Sequence, residues 1–347
     1  MKKIHTLDQI TGLKGIFCIV IMLGHTLPSI PLIDKIPLTS FILQYGGDIG
    51  NAMFFMLSGF LMTYGYRDRI RLHEISIKDF LVRRLYKLYP LYLVTNIAAF
   101  IHGMFAYGLS NFNLQRIVFT LLLQSGGSLG REHPYNGPAW FICALFECYL
   151  LFYFIAYHAK HRTQYFCMIV FSIIWGYSTL VNNGPLFPIC IGQGGNNFQD
   201  FFIGCALAEL YPVIREQTKK WLKPVSFLFL ATSGILLLTV GVEIISGNVN
   251  TAFAFVLCPL IIYLSLDSVL IRRILTLRPI RYIGQISFSI YLWHTVIYDY
   301  YLYIYREFLG GRQMGDLQYL VLSDDHVCSQ CIIPQIYRGK KTEDRLI

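Results

Sequence analysis

Apolar runs of 15 to 22 residues recur along the whole chain, at about 13–33, 52–66, 88–107, 138–157, 164–183, 198–213, 225–245, 251–270 and 283–304. At about 1.5 Å of rise per residue, runs of this order are what helices need to cross a hydrocarbon layer about 30 Å thick. The second and sixth are short unless their flanks are counted. The pattern predicts nine crossings. A further stretch at 114–124, LQRIVFTLLLQ, is apolar but short, and it is expected to be re-entrant or interfacial, because the charge alternation described below holds only if it does not cross fully. No internal repeat, low-complexity linker or soluble domain is visible. Residues 1–304 are therefore read as one all-α membrane bundle of about nine to ten helices, and 305–347 as an atypical tail without a span-length apolar run.

Composition agrees with that reading and removes its competitors. Hydrophobic residues make up 55% and charged residues 14%, against about 25% charged in an ordinary soluble domain. So few charges could not cover a globule of this size without large apolar patches, and collagen, coiled coil and disordered chain are excluded as well. The net charge of +9 does not point to nucleic acid, because 19 of the 29 Lys and Arg residues fall in five clusters between the runs. These are Lys2–Lys3, 67–87, 160–162, 215–223 and 272–281, whereas the loops 29–45, 108–137, 184–197 and 246–250 hold only Lys35, Arg116 and Arg131. Such alternation predicts a cytoplasmic N-terminus and places all five clusters on that side. Seven cysteines (18, 143, 148, 167, 190, 205, 258) lie in or beside apolar runs and read as packing residues, while Cys328 and Cys331 form one isolated CxxC. No cleavable signal peptide is expected, since the first run has no small-residue cleavage site.

Ionisable groups inside the runs are functional candidates, since each costs at least about 2.5 kcal/mol at mid-bilayer. Lys14 and His25 lie eleven residues apart in the first run, which puts them within about 20° of one helix face and about 16 Å apart along the axis. The plain alternative is a lysine snorkelling to the interface and a histidine at a helix end. In RRLYKLYP, Arg84 and Lys87 are three apart and share a face that can grip phosphate oxygens. Setting topology is their other possible role. Gly46, Gly47, Asp48, Gly50, Asn51, Ser58 and Gly59 cluster in or beside the second run, where small residues let helices approach closely, and Asp48 reads as a solvated charge. Glu147 stands well inside the fourth run, where a carboxyl must be protonated or paired, which makes it a site candidate. Asp200, Glu209, Glu243 and Asp267, nearer the ends of their runs, read as solvated. His294, in ISFSIYLWH, reads as a packing histidine on its own.

Taken together, six strings resemble acyltransferase family 3, the integral membrane O-acyltransferases, in the branch without a fused hydrolase-like domain. They are GLKGIFCIVIMLGH at 12–25, GGDIGNAMFFMLSGFL at 46–61, RRLYKLYP at 83–90, PAWFICALFECYLL at 138–151, FFIGCALAELY at 201–211 and IGQISFSIYLWH at 283–294. The resemblance implies a multi-pass plasma (inner) membrane enzyme. It would transfer an acyl group, usually acetyl from cytoplasmic acetyl-CoA, to a hydroxyl of a surface polysaccharide or lipid-linked precursor. No permanently bound cofactor is implied, and the expected partners are acyl-CoA, the glycan acceptor and the bilayer. The family's first-helix basic residue and histidine fall on Lys14 and His25, and its cytoplasmic Arg/Pro motif on Arg84, Lys87 and Pro90. Lys14 and Lys87 depart from the family's usual arginine, keeping the charge without the bidentate fork. The tail departs too: YLVLS opens like a further membrane helix, SDDHVCSQC interrupts it, and IYRGKKTEDRLI resumes like a family tail, the pattern of a local reading-frame disturbance.

Acyl transfer to a hydroxyl needs a base for the proton and stabilisation of the oxyanion. His25 is the expected base, with Lys14 and Glu147 as companions, and Arg84, Lys87 and Lys14 are expected to hold the donor. The competing class is a transporter or flippase with an axial Lys/His path, for which the symmetry of inverted repeats is not visible.

Overall fold

The computed structural model describes residues 8–26, 37–125, 133–181, 195–217 and 257–308. They hold α1 (Asp8–Thr26), α2 (Pro37–Arg71), α3 (Ile77–Tyr107), α4 (Leu114–Leu121), α5 (Trp140–His158), α6 (Arg162–Val181), α7 (Gly195–Gln217), α8 (Cys258–Asp267), α9 (Val269–Leu275) and α10 (Arg278–Phe308), with no strand among the described residues. The expected run at 225–245, Glu243, Cys190, the loop 184–197 save its last residues, and the tail beyond 308 lie outside them.

Local chemistry sets several boundaries. Ser76 caps α3, its hydroxyl accepting from the Asp79 N–H at 3.1 Å and donating to the Asp79 carboxylate at 2.8 Å. Asn113 caps α4 through the Arg116 N–H at 3.0 Å. The eight residues of α4 extend about 12 Å, too short to cross. Pro90 does not end α3; a proline removes one backbone bond, which a helix of 31 residues absorbs. The RRLYKLYP motif therefore lies inside a continuous helix rather than in a loop before one. Two helical segments, Ile77–Asn111 and Gly137–His158, are long and apolar enough to cross a membrane. The helices that carry polar site residues, such as α1 and α10, are diluted by those same residues.

Missing side chains bring the central helices into backbone contact. A Cβ on Gly15 would stand 2.6 Å from the Ile280 carbonyl and 2.8 Å from the Gly284 nitrogen, and one on Gly284 would overlap the Thr11 carbonyl. Thus α1 and α10 run side by side in the same direction. Cys18 donates to the Ser287 carbonyl at 3.3 Å across an offset of 269 residues, and the same offset relates Gly15 to Gly284 and His25 to His294. Gly284→Ala is expected to force these backbones apart at about 1 to 3 kcal/mol, the usual scale of overpacking. Thermal unfolding of the detergent-purified chain would show this as a clear drop in Tm, and an unchanged Tm would contradict the contact. Helices α2 and α7 interlock similarly, with Gly59 against the Phe201 carbonyl and Gly204 against that of Met56.

This packing corrects the expectation that Asp200 and Glu209 are solvated. They are 2% and 4% exposed, because α7 continues to Gln217 and is packed against α2 and α6. The Glu209 carboxylate meets Arg67 at 2.9 Å and Arg162 at 2.6 Å. Cys18, Cys143, Cys148, Cys205 and Cys258 are buried as expected, but Cys167 is exposed. Since Gly46 faces Val20 and Gly50 faces Phe17 and Ile21, α1 and α2 run antiparallel. That brings Arg67, Arg69 and Arg71 to the end where α1 begins and Asp8 pairs with Arg281 at 3.0 Å. One end of the bundle is basic; His25 lies toward the other.

Candidate active site

At the basic end most arginines on α2, α6 and α10 have a carboxylate: Arg67 has Asp68 and Glu209, Arg69 has Glu74, Arg71 has Asp68, Arg162 has Glu209 and Arg281 has Asp8. Lys14, Arg84 and Lys87 pair with none among the described residues. Lys14 feels the charge of Lys87, and Lys87 that of Arg84. The Arg84 guanidinium stacks over the Tyr66 ring at 4.6 Å and also donates to its hydroxyl. Phe80 stands at 5.7 Å from it, so aromatic faces hold the fork in place. Like charges within electrostatic range and without a counter-charge among the described residues repel one another, and a bound anion relieves that repulsion. Of the three residues expected to bind phosphate, Lys87 thus stands within electrostatic range of both Lys14 and Arg84.

Eleven residues along α1 from Lys14, or about 16 Å, the His25 ring meets that of His294, with centroids 5.3 Å apart in an edge-to-face arrangement. His25 Nδ1 lies 2.8 Å from the Ile21 carbonyl and His294 Nδ1 lies 2.6 Å from that of Tyr291. A carbonyl only accepts, so Nδ1 carries the proton in each ring and Nε2 is the nitrogen open to an incoming proton. The Asp48 carboxylate, exposed on α2, lies within electrostatic range of His25. Around α10, Asn136 donates to the Leu292 carbonyl at 2.9 Å and accepts from the Thr295 hydroxyl at 3.1 Å, while its own N–H donates to Asn96 at 3.0 Å. The Tyr291 hydroxyl donates to the Pro138 carbonyl at 3.0 Å. His294 is therefore bracketed by a buried polar clamp on both sides of its own turn.

Glu147 lies in the middle of α5, about 10 Å inward from Trp140, where its charge acts on Cys143 one turn before it. Asn136 and Tyr291 are candidate site residues that a helix-by-helix reading passes over, and Gly47 and His294, read there as packing positions, join them. A signal for His294 is present in the chain: GIFCIVIMLGH and GQISFSIYLWH share one spacing, Gly, then Cys or Ser three on, then His seven further. The in-register packing of α1 and α10 gives that repeated spacing its meaning.

A set of cations that can hold an anionic carrier, and a pair of imidazoles about 16 Å further along α1 that can take a proton, fit group transfer between the two ends. A family model described as an acyltransferase domain matches residues 7–322. No curated protein and no solved structure matches the chain.

Proposed function

The chain belongs to the acyltransferase 3 family, and from that premise we propose that it is a membrane O-acyltransferase that passes an acetyl group from cytoplasmic acetyl-CoA to a hydroxyl of a surface glycan. The observation that carries this reading is the division of α1 between an unpaired cation cluster at Lys14 and an imidazole pair at His25. Lys14, Arg84 and Lys87 hold the phosphates of the donor, so the basic end faces the cytoplasm of a cell bounded by the plasma membrane. His25 Nε2 takes the proton of the acceptor hydroxyl. The hydroxyl oxygen bonds to the thioester carbonyl carbon, the carbon–sulfur bond breaks, and the departing thiolate takes up a proton to leave as CoA thiol. Lys14 and Glu147 are given no step in the proton transfer.

Membranes carrying the chain, incubated with radiolabelled acetyl-CoA, are expected to place covalent label on glycan. Movement of an intact substrate without covalent labelling would instead support a transporter. Gly47 offers a finer check. A Cβ there would stand 3.0 Å from His25 Cε1 and 3.5 Å from Nε2, so Gly47→Ala must displace the ring by a few tenths of an ångström. Misplacement on that scale is expected to lower label transfer about tenfold with the yield of folded protein unchanged. A rate equal to that of the parent would show that the ring position is not critical.

A further inference from the structure

Resting on the acyl-transfer reading, we propose that His294 is a second substrate-binding imidazole, and that the acceptor is a sugar presenting two neighbouring hydroxyls, one acylated and the other anchored on His294 Nε2. His294 is 6% exposed, and its Nε2 has no hydrogen-bond partner. A buried nitrogen left in that state is destabilising, and in native proteins it ordinarily has a partner, a bound ligand included. Its Nδ1 is turned back onto the Tyr291 carbonyl of its own helix, so the Nε2 edge points away from α10. The neighbouring ring is His25, with centroids 5.3 Å apart.

The hydrogen count then selects the ligand. Both rings carry their proton on Nδ1, so both present an accepting Nε2, and no hydrogen bond joins them. A single hydroxyl has one hydrogen and satisfies one of the two nitrogens. A pair of adjacent hydroxyls satisfies both. One gives its proton to His25 Nε2 as its oxygen bonds to the acyl carbon and the carbon–sulfur bond breaks; the other keeps its proton and donates a hydrogen bond to His294 Nε2. Asn136 bonds the Leu292 carbonyl and the Thr295 hydroxyl, and so fixes the turn of α10 that carries His294.

The test uses the full chain in its membrane, with radiolabelled acetyl-CoA as donor and the endogenous glycan as acceptor. His294→Phe keeps a flat ring and removes both nitrogens, and it should lower transfer about ten- to hundredfold, the effect of leaving one polar partner unmatched. CoA binding should stay unchanged. His294→Gln, whose amide oxygen can accept in place of Nε2, should recover much of the loss. In the wild-type product, every acetylated hydroxyl should have a free hydroxyl on the adjacent carbon when the glycan is mapped by NMR. Transfer by His294→Phe at the wild-type rate, or acetylation of a hydroxyl with no free neighbour, overturns the proposal and leaves the acyl-transfer reading standing. If His294→Phe fails to bind CoA because it is misfolded, His294→Gln and the product map decide between the same two outcomes. A wild-type chain that transfers no label overturns the acyl-transfer reading and the proposal with it.

Discussion

His25→Ala is expected to lower acyl transfer by about 10²- to 10⁴-fold, the usual contribution of a positioned proton-transfer group, while the chain still inserts and still binds CoA. The expectation follows from where the ring stands. His25 is exposed at the outer end of α1, its Nδ1 is tied to the Ile21 carbonyl at 2.8 Å, and its Nε2 edge lies along Gly47, which has no side chain to block it. Truncating an exposed ring creates no core cavity, so stability should change little. A packing histidine would behave in the opposite way, with folded yield falling alongside activity. Label transfer and CoA binding measured on the same preparation separate the two. Substantial transfer by well-folded His25→Ala would remove His25 from the chemistry.

Arg84→Ala should weaken CoA binding tenfold to more than a hundredfold, since a hydrogen bond to a charged group contributes about 1.5 to 3 kcal/mol. Acceptor affinity should hardly change, because Arg84 belongs to the basic end and the proposed acceptor site to the imidazole end. Arg84 is held flat on Tyr66, so Arg84→Lys should be intermediate: the charge survives, but the fork and the stacking do not. Lys87→Arg should be tolerated or should improve binding, since an arginine there adds a second fork to the same helix face. Titration calorimetry with CoA on the purified variants checks all three. Unchanged affinity in Arg84→Ala would leave that arginine with only a topological role.

How far the chain discloses this arrangement depends on the distance over which each signal acts. The pairing of Lys14 with His25 on one face of α1 is a property of one helix, so periodicity suffices to find it, and the same holds for Arg84 and Lys87 on α3. The start of α2 at Pro37 is not visible, because the apolar run that marks this helix begins only at about 52 and residues 29–45 read as loop. Asp200 and Glu209 look solvated in a chain read one run at a time. Burial comes only when α7 docks on α2 and α6, and for Glu209 two arginines from different helices make it tolerable. His294 shows the same dependence. Alone it is an ordinary helix histidine, and it becomes half of a pair only when the small residues at 15, 18, 284 and 287 let α1 and α10 lie in register. Pro90 falls inside the apolar run 88–107, and α3 runs through it.

In the proposed reaction, donor and acceptor meet the protein from opposite sides of the membrane. Radiolabelled acetyl-CoA, which does not cross a sealed bilayer, should be added to sealed inside-out and to sealed right-side-out vesicles carrying the wild-type chain, with label in glycan as the readout. The account predicts labelled glycan from the inside-out vesicles, and from the right-side-out vesicles only after permeabilisation. Equal labelling of intact right-side-out vesicles would contradict it.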